Sequence, residues 1–190
     1  MSIYIRNANL EDANQVAPLI YDAIGEIAKR LTGETIKHKI IDQLEFLFCQ
    51  KDNRHSYLNT YVAVQEENPN VVLGILVLYS GEDGLAMDLS LQKWLQNKNT
   101  KLIQIDQEAH YDEFYVDTIC VHDNYRGLGI GTKLLHFAEE VASQKGFTKL
   151  ALNVETEKVN ARRLYERIGY VVVEPWTIIG EPFHHMVKKI

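Results

Sequence analysis

Arg126-Gly127-Leu128-Gly129-Ile130-Gly131-Thr132 sets an arginine and three alternating glycines between an apolar, β-branched run, FYVDTICV, and an amphipathic stretch, KLLHFAEEVASQK. A side-chain-poor loop that opens a helix leaves backbone N–H groups unpaired, at the positive end of the helix dipole. Such a loop can hold a pyrophosphate. The order Gly131-Thr132-Lys133 lacks the Gly-Lys-Ser/Thr ending of a triphosphate-binding loop, whose lysine grips the outer phosphates. A dinucleotide loop reads G-x-G-x-x-G directly after its strand. Here the spacing is G-x-G-x-G and five residues, Arg126 among them, intervene, although Glu155 stands near the place of a ribose-binding acid. An idle turn is disfavoured, because each glycine weakens local order by roughly 0.5–1 kcal/mol relative to alanine. The loop therefore points to a phosphate-bearing cofactor.

Groups able to move a proton lie just upstream. By two-residue alternation Glu113, Tyr115 and Asp117 share one strand face with Ile119 and Val121. Asp117 is flanked by apolar residues, so its carboxylate must be satisfied by partners or have a raised pKa. A base acting through water and a structural carboxylate both suit it. Glu113 stands at the strand entrance, where it can hold an amine. Asn153 ends a later strand, as a site residue or as a turn former. The histidines do not suggest a metal. His184 and His185 are adjacent in a strand and point to opposite faces, and His38, His55, His110, His122 and His136 show no ligand spacing with either cysteine. His122 follows the strand directly, as part of a proton relay or as a solvated loop residue.

The chain as a whole narrows the function classes. Its 190 residues suggest one domain over 1–190 with a proper core. An apolar fraction of 46% and a charged fraction of 24% are those of a soluble globule. A net charge of −6 argues against a nucleic-acid partner, which needs a basic face. No apolar run is long enough to cross a bilayer, and MSIYIRNANLED does not read as a signal peptide. Cys49 and Cys120 lie in apolar stretches and read as free thiols of a cytoplasmic protein.

The elements that must position these groups follow from periodicity. Residues 3–7 alternate as a short strand. A helix is expected over 11–30, with Pro18 as a conflict inside it, and another over 35–50. TYVAVQ (60–65) and VVLGILVLY (71–79) flank a polar turn and read as a hairpin. Residues 80–113 form a long connection with a helix between Gly84 and Asn97, and such connections tend to be functional. A strand over 114–121, a helix over 129–145 closed by Gly146, a strand over 148–154 and a short helix over 158–168 follow. Two last strands surround a Gly180–Pro182 turn.

Arg126-x-x-Gly129-x-Gly131 resembles the pyrophosphate signature of the GNAT N-acetyltransferase superfamily. LNVETEKVNARRLYERIGYVVV is similar to that family's second motif, with Ala161, Leu164, Tyr165, Gly169 and Tyr170 at its characteristic positions. The match covers roughly residues 114–174, and the order of the earlier elements agrees with it. The resemblance implies an α/β fold: a mixed, mostly antiparallel central sheet of about six to seven strands flanked by helices. The 114–121 and 148–154 strands would splay into a V holding acetyl-coenzyme A as co-substrate. Ile119, Cys120 and Val121 would line the pantetheine, and Arg126, Gly127, Leu128, Gly129, Ile130, Gly131 and Thr132 the pyrophosphate. Asn153 and Tyr165 would complete the cofactor site. One departure concerns the asparagine often found seven residues before the tyrosine; Lys158 stands there and Asn160 lies two residues on, and either is assigned to the cofactor.

The implied reaction is direct attack of a primary amine on the thioester in a ternary complex. It needs alignment, a base and an acid. Tyr165 is the acid implied by the motif; Asp117 and Glu113 are the candidates for base and amine holder. The acceptor, a small-molecule or peptide amine, would enter beside residues 11–50 and 80–113. Glu82, Asp83, Asp88, Asp106, Glu108, Asp112 and Glu113, against Lys93, Lys98 and Lys101, would give it an acidic rim or simply form a solvated acidic loop. A homodimer is compatible with this class. A non-catalytic acyl-coenzyme A sensor would need the same cofactor motif and is the alternative.

Overall fold

In the computed structural model, which describes residues 2–98 and 103–190, the strands are β1 (Ile3–Asn7), β2 (Thr60–Gln65), β3 (Gly74–Ser80), β4 (Phe114–Val121), β5 (Lys149–Glu155), β6 (Val171–Ile178) and β7 (Glu181–Lys189). They form one sheet in the order β1-β2-β3-β4-β5-β7-β6. Every neighbouring pair is antiparallel except β4 with β5. The helices are α1 (Ala13–Ile24), α2 (Ile27–Thr32), α3 (Lys37–Phe48), α4 (Gly81–Lys98), α5 (Ile130–Gln144) and α6 (Val159–Arg167). Among the described residues, no helix is long and apolar enough to cross a membrane.

Burial on both faces explains why β3 reads as an unbroken apolar run. Leu76 and Leu78 pack with Leu134 and Ala138 of α5, and Tyr165 of α6 joins that layer. Ile75 packs on the opposite face with Val16 and Ile20 of α1 and Ile40 and Leu44 of α3. Leu91 and Leu95 of α4 meet Leu31 of α2 and Leu47 of α3 at the edge of this second layer.

The helix expected over 11–30 is two helices. The break falls at Gly25, whose φ of +51° suits glycine, and not at Pro18, which α1 carries inside. The carbonyl that a residue-18 N–H would bond belongs to Asn14, which is exposed, so water can take its place. α4 starts directly after β3, three residues earlier than its periodicity suggests. Of the long connection, residues 99–102, Lys101 among them, lie outside the described residues.

The parallel pair decides the architecture. β4 and β5 are matched only at Phe114–Leu150, Tyr115–Ala151 and Val116–Leu152. Beyond this point β5 follows β7 as far as Glu155–Phe183, while β4 follows β3 as far as Val121–Gly74. The two strands therefore diverge and leave one edge of β4 without a strand partner, as the expected V-shaped splay requires.

Candidate active site in the splay between two strands

The splay opens a cleft of about 510 Å³, a size suited to a small-molecule site. Its walls come from β4 (Tyr115 to Val121), β5 (Leu152 to Glu155), α6 and the turn after α3. His122 N–H donates to the Leu73 carbonyl at 2.9 Å. Alternation along an antiparallel strand then turns the Cys120 backbone toward β3 as well, and the peptide groups of Ile119 and Val121 toward the cleft. The Val121 carbonyl already accepts from Arg126 Nε at 3.2 Å.

The glycine loop lies where β4 hands over to α5. Gly127 and Gly129 have φ of +78° and +76°, the left-handed region that glycine enters without steric cost. Gly129 is the residue before the first turn of α5, so the first N–H groups of that helix open onto the loop. Gly131 is different: a Cβ there would meet only Val121 Cγ2, at 3.8 Å, an ordinary contact. The fold itself would accept a side chain at 131, so the bare backbone is free space beside the cleft. Arg126 pairs with Asp123 at 2.7 Å and is exposed.

Tyr165 lines the cleft from α6. Burial pushes its hydroxyl up to about 12. Among the described residues that hydroxyl takes part in no hydrogen bond, and it is not sealed from solvent. Lys158 lines the cleft and pairs with Glu155 at 3.1 Å, whereas Asn160 is exposed and does not line it. Cys120 turns its side chain into the layer under α1, where burial raises its thiol pKa. Leu128 is exposed at the loop tip, and Ile130 is buried under α5.

The other wall of the cleft is a buried charged cluster. Arg54, 2% exposed, donates to Asp88 at 2.7 Å, to Glu108 through Nη1, and to Asp117 at 3.4 Å. Burial opposes its charge, but Glu108, Tyr79, Asp88 and Asp117 together hold its pKa well above the usual value. Asp117 also accepts from Tyr79 at 2.5 Å, Thr118 at 2.7 Å and His55 Nε2 at 3.0 Å. Burial would raise its pKa, yet His55, Arg54 and Tyr79 hold it well below the carboxylate range. Glu108 accepts from Tyr115 at 2.9 Å; there burial outweighs Arg54 and the pKa is raised. Burial also raises the Tyr79 and Tyr115 hydroxyls.

Two expectations need correction. Tyr115 and Asp117 do not share a face with Ile119 and Val121. Val116 is matched to Leu78 and Thr118 to Val77, so Asp117 is an extra residue in β4. This β-bulge reverses the alternation. Ile119 and Val121 consequently pack with the α5 layer, while Asp117 faces Arg54 and His55. Glu113 does not line the cleft. It accepts from His110 N–H at 2.8 Å and meets His185 Nε2 at 3.1 Å; burial raises its pKa, but His185 and His110 outweigh this and leave it lowered.

Asn153 connects this pair to the cleft. Its amide donates to the Glu108 carbonyl at 2.8 Å and to Tyr115 at 3.1 Å, and its oxygen lies 2.7 Å from His185 Nδ1. Adjacent His184 and His185 diverge as alternation requires, but His110, Glu174 and His185 bring potential ligand atoms within 4.8 Å of one another. These atoms are taken by hydrogen bonds: His110 to Glu174 at 2.6 Å, and His185 to Asn153 and Glu113.

The acidic rim expected from residues 80–113 is used internally. Asp88 and Glu108 hold Arg54, Asp106 accepts from Ile179 N–H, Asp112 pairs with Lys149, and Asp83 bonds Ser80. Glutamates 26, 155, 157 and 181 instead surround an adjoining cavity of about 480 Å³ floored by Ile24, Ile27 and Phe183. Sequence reasoning missed Arg54, His55 and Tyr79. They belong to segments distant from the glycine loop: Arg54 and His55 are adjacent between apolar elements, and Tyr79 ends an apolar run.

Comparison with known proteins matches this geometry to one family. The model of the Acetyltransferase (GNAT) family matches residues 23–170. A solved acetyltransferase structure shares 31% identity and superposes with a TM-score of 0.79, covering 98% of this chain and 99% of that one. An N-acetyltransferase from Staphylococcus aureus Mu50 shares 25% identity with a TM-score of 0.77, covering 97% and 99%. GCN5-related N-acetyltransferase 6, chloroplastic, of Arabidopsis thaliana is 27% identical over 121 residues, which are 60% of this chain and 41% of the plant protein. The chain thus spans less than half the length of the curated relatives it matches.

Proposed function

Given that this chain belongs to the acetyltransferase (GNAT) family, we propose that it transfers an acetyl group from acetyl-coenzyme A to a primary amine, by direct attack in a ternary complex. The observation that carries this reading is the divergence of β4 and β5 past Val116 and Leu152, with the glycine loop at one end of the cleft and ionisable groups along its wall. The donor fits the residues present. Peptide groups of Ile119 and Val121 face the cleft as partners for the pantetheine amides. The N–H groups from Gly127 to Thr132 take the pyrophosphate, with Arg126 as counter-charge. The empty position of a Cβ at Gly131 lets the diphosphate approach the backbone. Lys158, on the cleft wall, is a better phosphate partner than Asn160.

In this reading the chain aligns the two substrates and moves protons. Tyr165 donates its proton to the departing sulfur; an unpartnered hydroxyl with a raised pKa stays protonated until the thiolate forms. Asp117 is surrounded by four donors and acts as a fixed anion. Glu113 positions the far end of the network through His185 and Asn153. The glutamate-rimmed cavity beside the cleft favours a cationic amine, on a small molecule or a peptide. Direct attack calls for no metal in this reading, and the free thiols Cys49 and Cys120 suit a cytosolic setting.

Release of free thiol from acetyl-coenzyme A, assayed with a panel of primary amines, tests the proposal. Turnover above the amine-free rate with at least one amine is expected, with coenzyme A binding by calorimetry. Binding without turnover on any amine would make the protein an acyl-coenzyme A sensor. No binding of coenzyme A, with an NAD or ATP analogue bound instead, would overturn the cofactor assignment.

A further inference from the structure

We propose that His55 and Asp117 form a dyad in which His55 Nδ1 accepts the proton of the acceptor amine. The inference deepens the acetyl-transfer reading and rests on it. His55 precedes β2 and lies beside the β4 bulge, 1% exposed. Its Nε2 stands 3.0 Å from Asp117 Oδ2 and 3.2 Å from Thr118 Oγ1. The Thr118 hydroxyl gives its own proton to Asp117 Oδ2 at 2.7 Å. A carboxylate only accepts, so Nε2 carries the proton that faces it. In the neutral ring the lone pair is then at Nδ1.

Among the described residues Nδ1 has no hydrogen-bond partner, yet it is not among the buried polar atoms left without one. It therefore keeps access to solvent, and the cavity that His55 lines is the cleft. The other bases on this wall are occupied. Asp117 receives four donors, and Glu108 receives Arg54 and Tyr115. The Tyr79 and Tyr115 hydroxyls donate to these carboxylates, and Glu113 lies off the cleft. The bulge brings Asp117 and its neighbour Thr118 to the same ring nitrogen, where regular alternation would point them to opposite faces.

The proton balance closes without a further reactant. His55 Nδ1 takes one proton from the arriving ammonium and frees its lone pair. The nitrogen forms its bond to the acyl carbon as the carbon–sulfur bond breaks. Tyr165 gives its proton to the sulfur and recovers one from the new amide nitrogen. His55 then releases its proton to solvent. Net, ammonium and acetyl thioester give amide, free thiol and one proton. Asp117 touches no substrate; it is a positioning residue that fixes the tautomer and stabilises the charged ring.

His55→Gln should lower kcat by about 10²–10⁴-fold, with the Kd for coenzyme A within about threefold of the parent. The acid limb of the pH–rate profile should vanish in the variant. Asp117 meets the ring, Arg54 and Tyr79 bond Asp117, and Asp88 and Glu108 bond Arg54, so the limb's position reports that whole set and its disappearance reports His55. External imidazole should restore part of the activity of His55→Ala. Asp117→Asn should move the limb, which a purely structural role would not do. A His55→Gln protein that binds coenzyme A normally and keeps both kcat and the pH profile overturns the dyad. Should His55→Gln not fold, nitrogen-15 NMR of the parent decides: an Nε2-protonated neutral ring supports the proposal, and an Nδ1-protonated ring overturns it. The NMR result needs no turnover. Absence of transfer to every amine would therefore sink the acetyl-transfer reading while the tautomer is read separately.

Discussion

The two ends of the cleft are built on opposite plans. The glycine loop is seven consecutive residues, exposed from Arg126 to Gly129, and its working parts are backbone N–H groups at the start of α5. The charged wall draws single residues from the turn after α3, from β3, α4, the 103–113 segment and β4, and its working parts are buried side chains. A contiguous loop depends on local backbone conformation and is insensitive to distant changes. A dispersed buried cluster depends on every contributing element, because one missing partner leaves charges in a low-dielectric interior. On the proposed function, placement of the acyl donor at the loop should therefore separate from stability, whereas chemistry at the charged wall should not.

The sharpest way to break this contrast is Arg54→Met. It strands Asp88, Glu108 and Asp117 together, and a loss of about 3–5 kcal/mol is expected in urea unfolding. A loss below 1 kcal/mol would show that the cluster is not what holds this wall. Tyr165→Phe is the counterpart on α6: kcat should fall by at least about 10²-fold with unfolding unchanged, because among the described residues the hydroxyl has no partner to lose. A kcat within about twofold would remove its role as acid.

Asp117→Asn comes next and has a pH signature. A carboxylate held below its usual pKa adds stability that is fully present above the unfolded value, about 3.9, and fades as pH falls through the folded value. The variant should be about 1.5–3 kcal/mol less stable than the parent at pH 7. The gap should narrow between pH 4 and pH 2.5. Glu108 and Asp88, shifted upward first by burial and further by the Asp117 charge, act in the opposite sense and offset part of that narrowing. A gap that is constant with pH would contradict a depressed Asp117.

At the loop, Gly131→Leu should raise the Kd for coenzyme A by about tenfold or more, roughly 1.4 kcal/mol, with little change in melting temperature. Equal losses of affinity and stability would erase the distinction between the two ends. Arg126→Ala should have the smallest effect. Its partner Asp123 is an exposed neighbour, so unfolding should shift by less than about 1 kcal/mol. The affinity for coenzyme A should fall a few-fold and become less sensitive to salt, checked by calorimetry at two ionic strengths.

The elements of the fold were legible where a pattern is local. Strand and helix periods, Gly146 as a stop, and the seven-residue loop all lie within windows of a few turns. The first helix was misread at its centre because Gly25 carries no periodicity signal, while Pro18 carries a strong one that an exposed carbonyl neutralises. Tyr165 and Lys158 were identified by motif position, and both line the cleft. Arg54 and His55 left no such trace, since their significance comes from partners 34 to 63 residues away.

The sequence by itself determined the glycine loop: a run of N–H groups freed by glycines is a property of adjacent residues, and adjacency is what a sequence records. Only the tertiary structure decided which carboxylate faces the cleft. One extra residue in β4 inverts every side chain beyond it, and bulges arise from the pairing of two strands rather than from either alone. Charge pairing in the interior is decided in the same way, because burial and the approach of distant segments set its energy, and neither exists until the chain has folded.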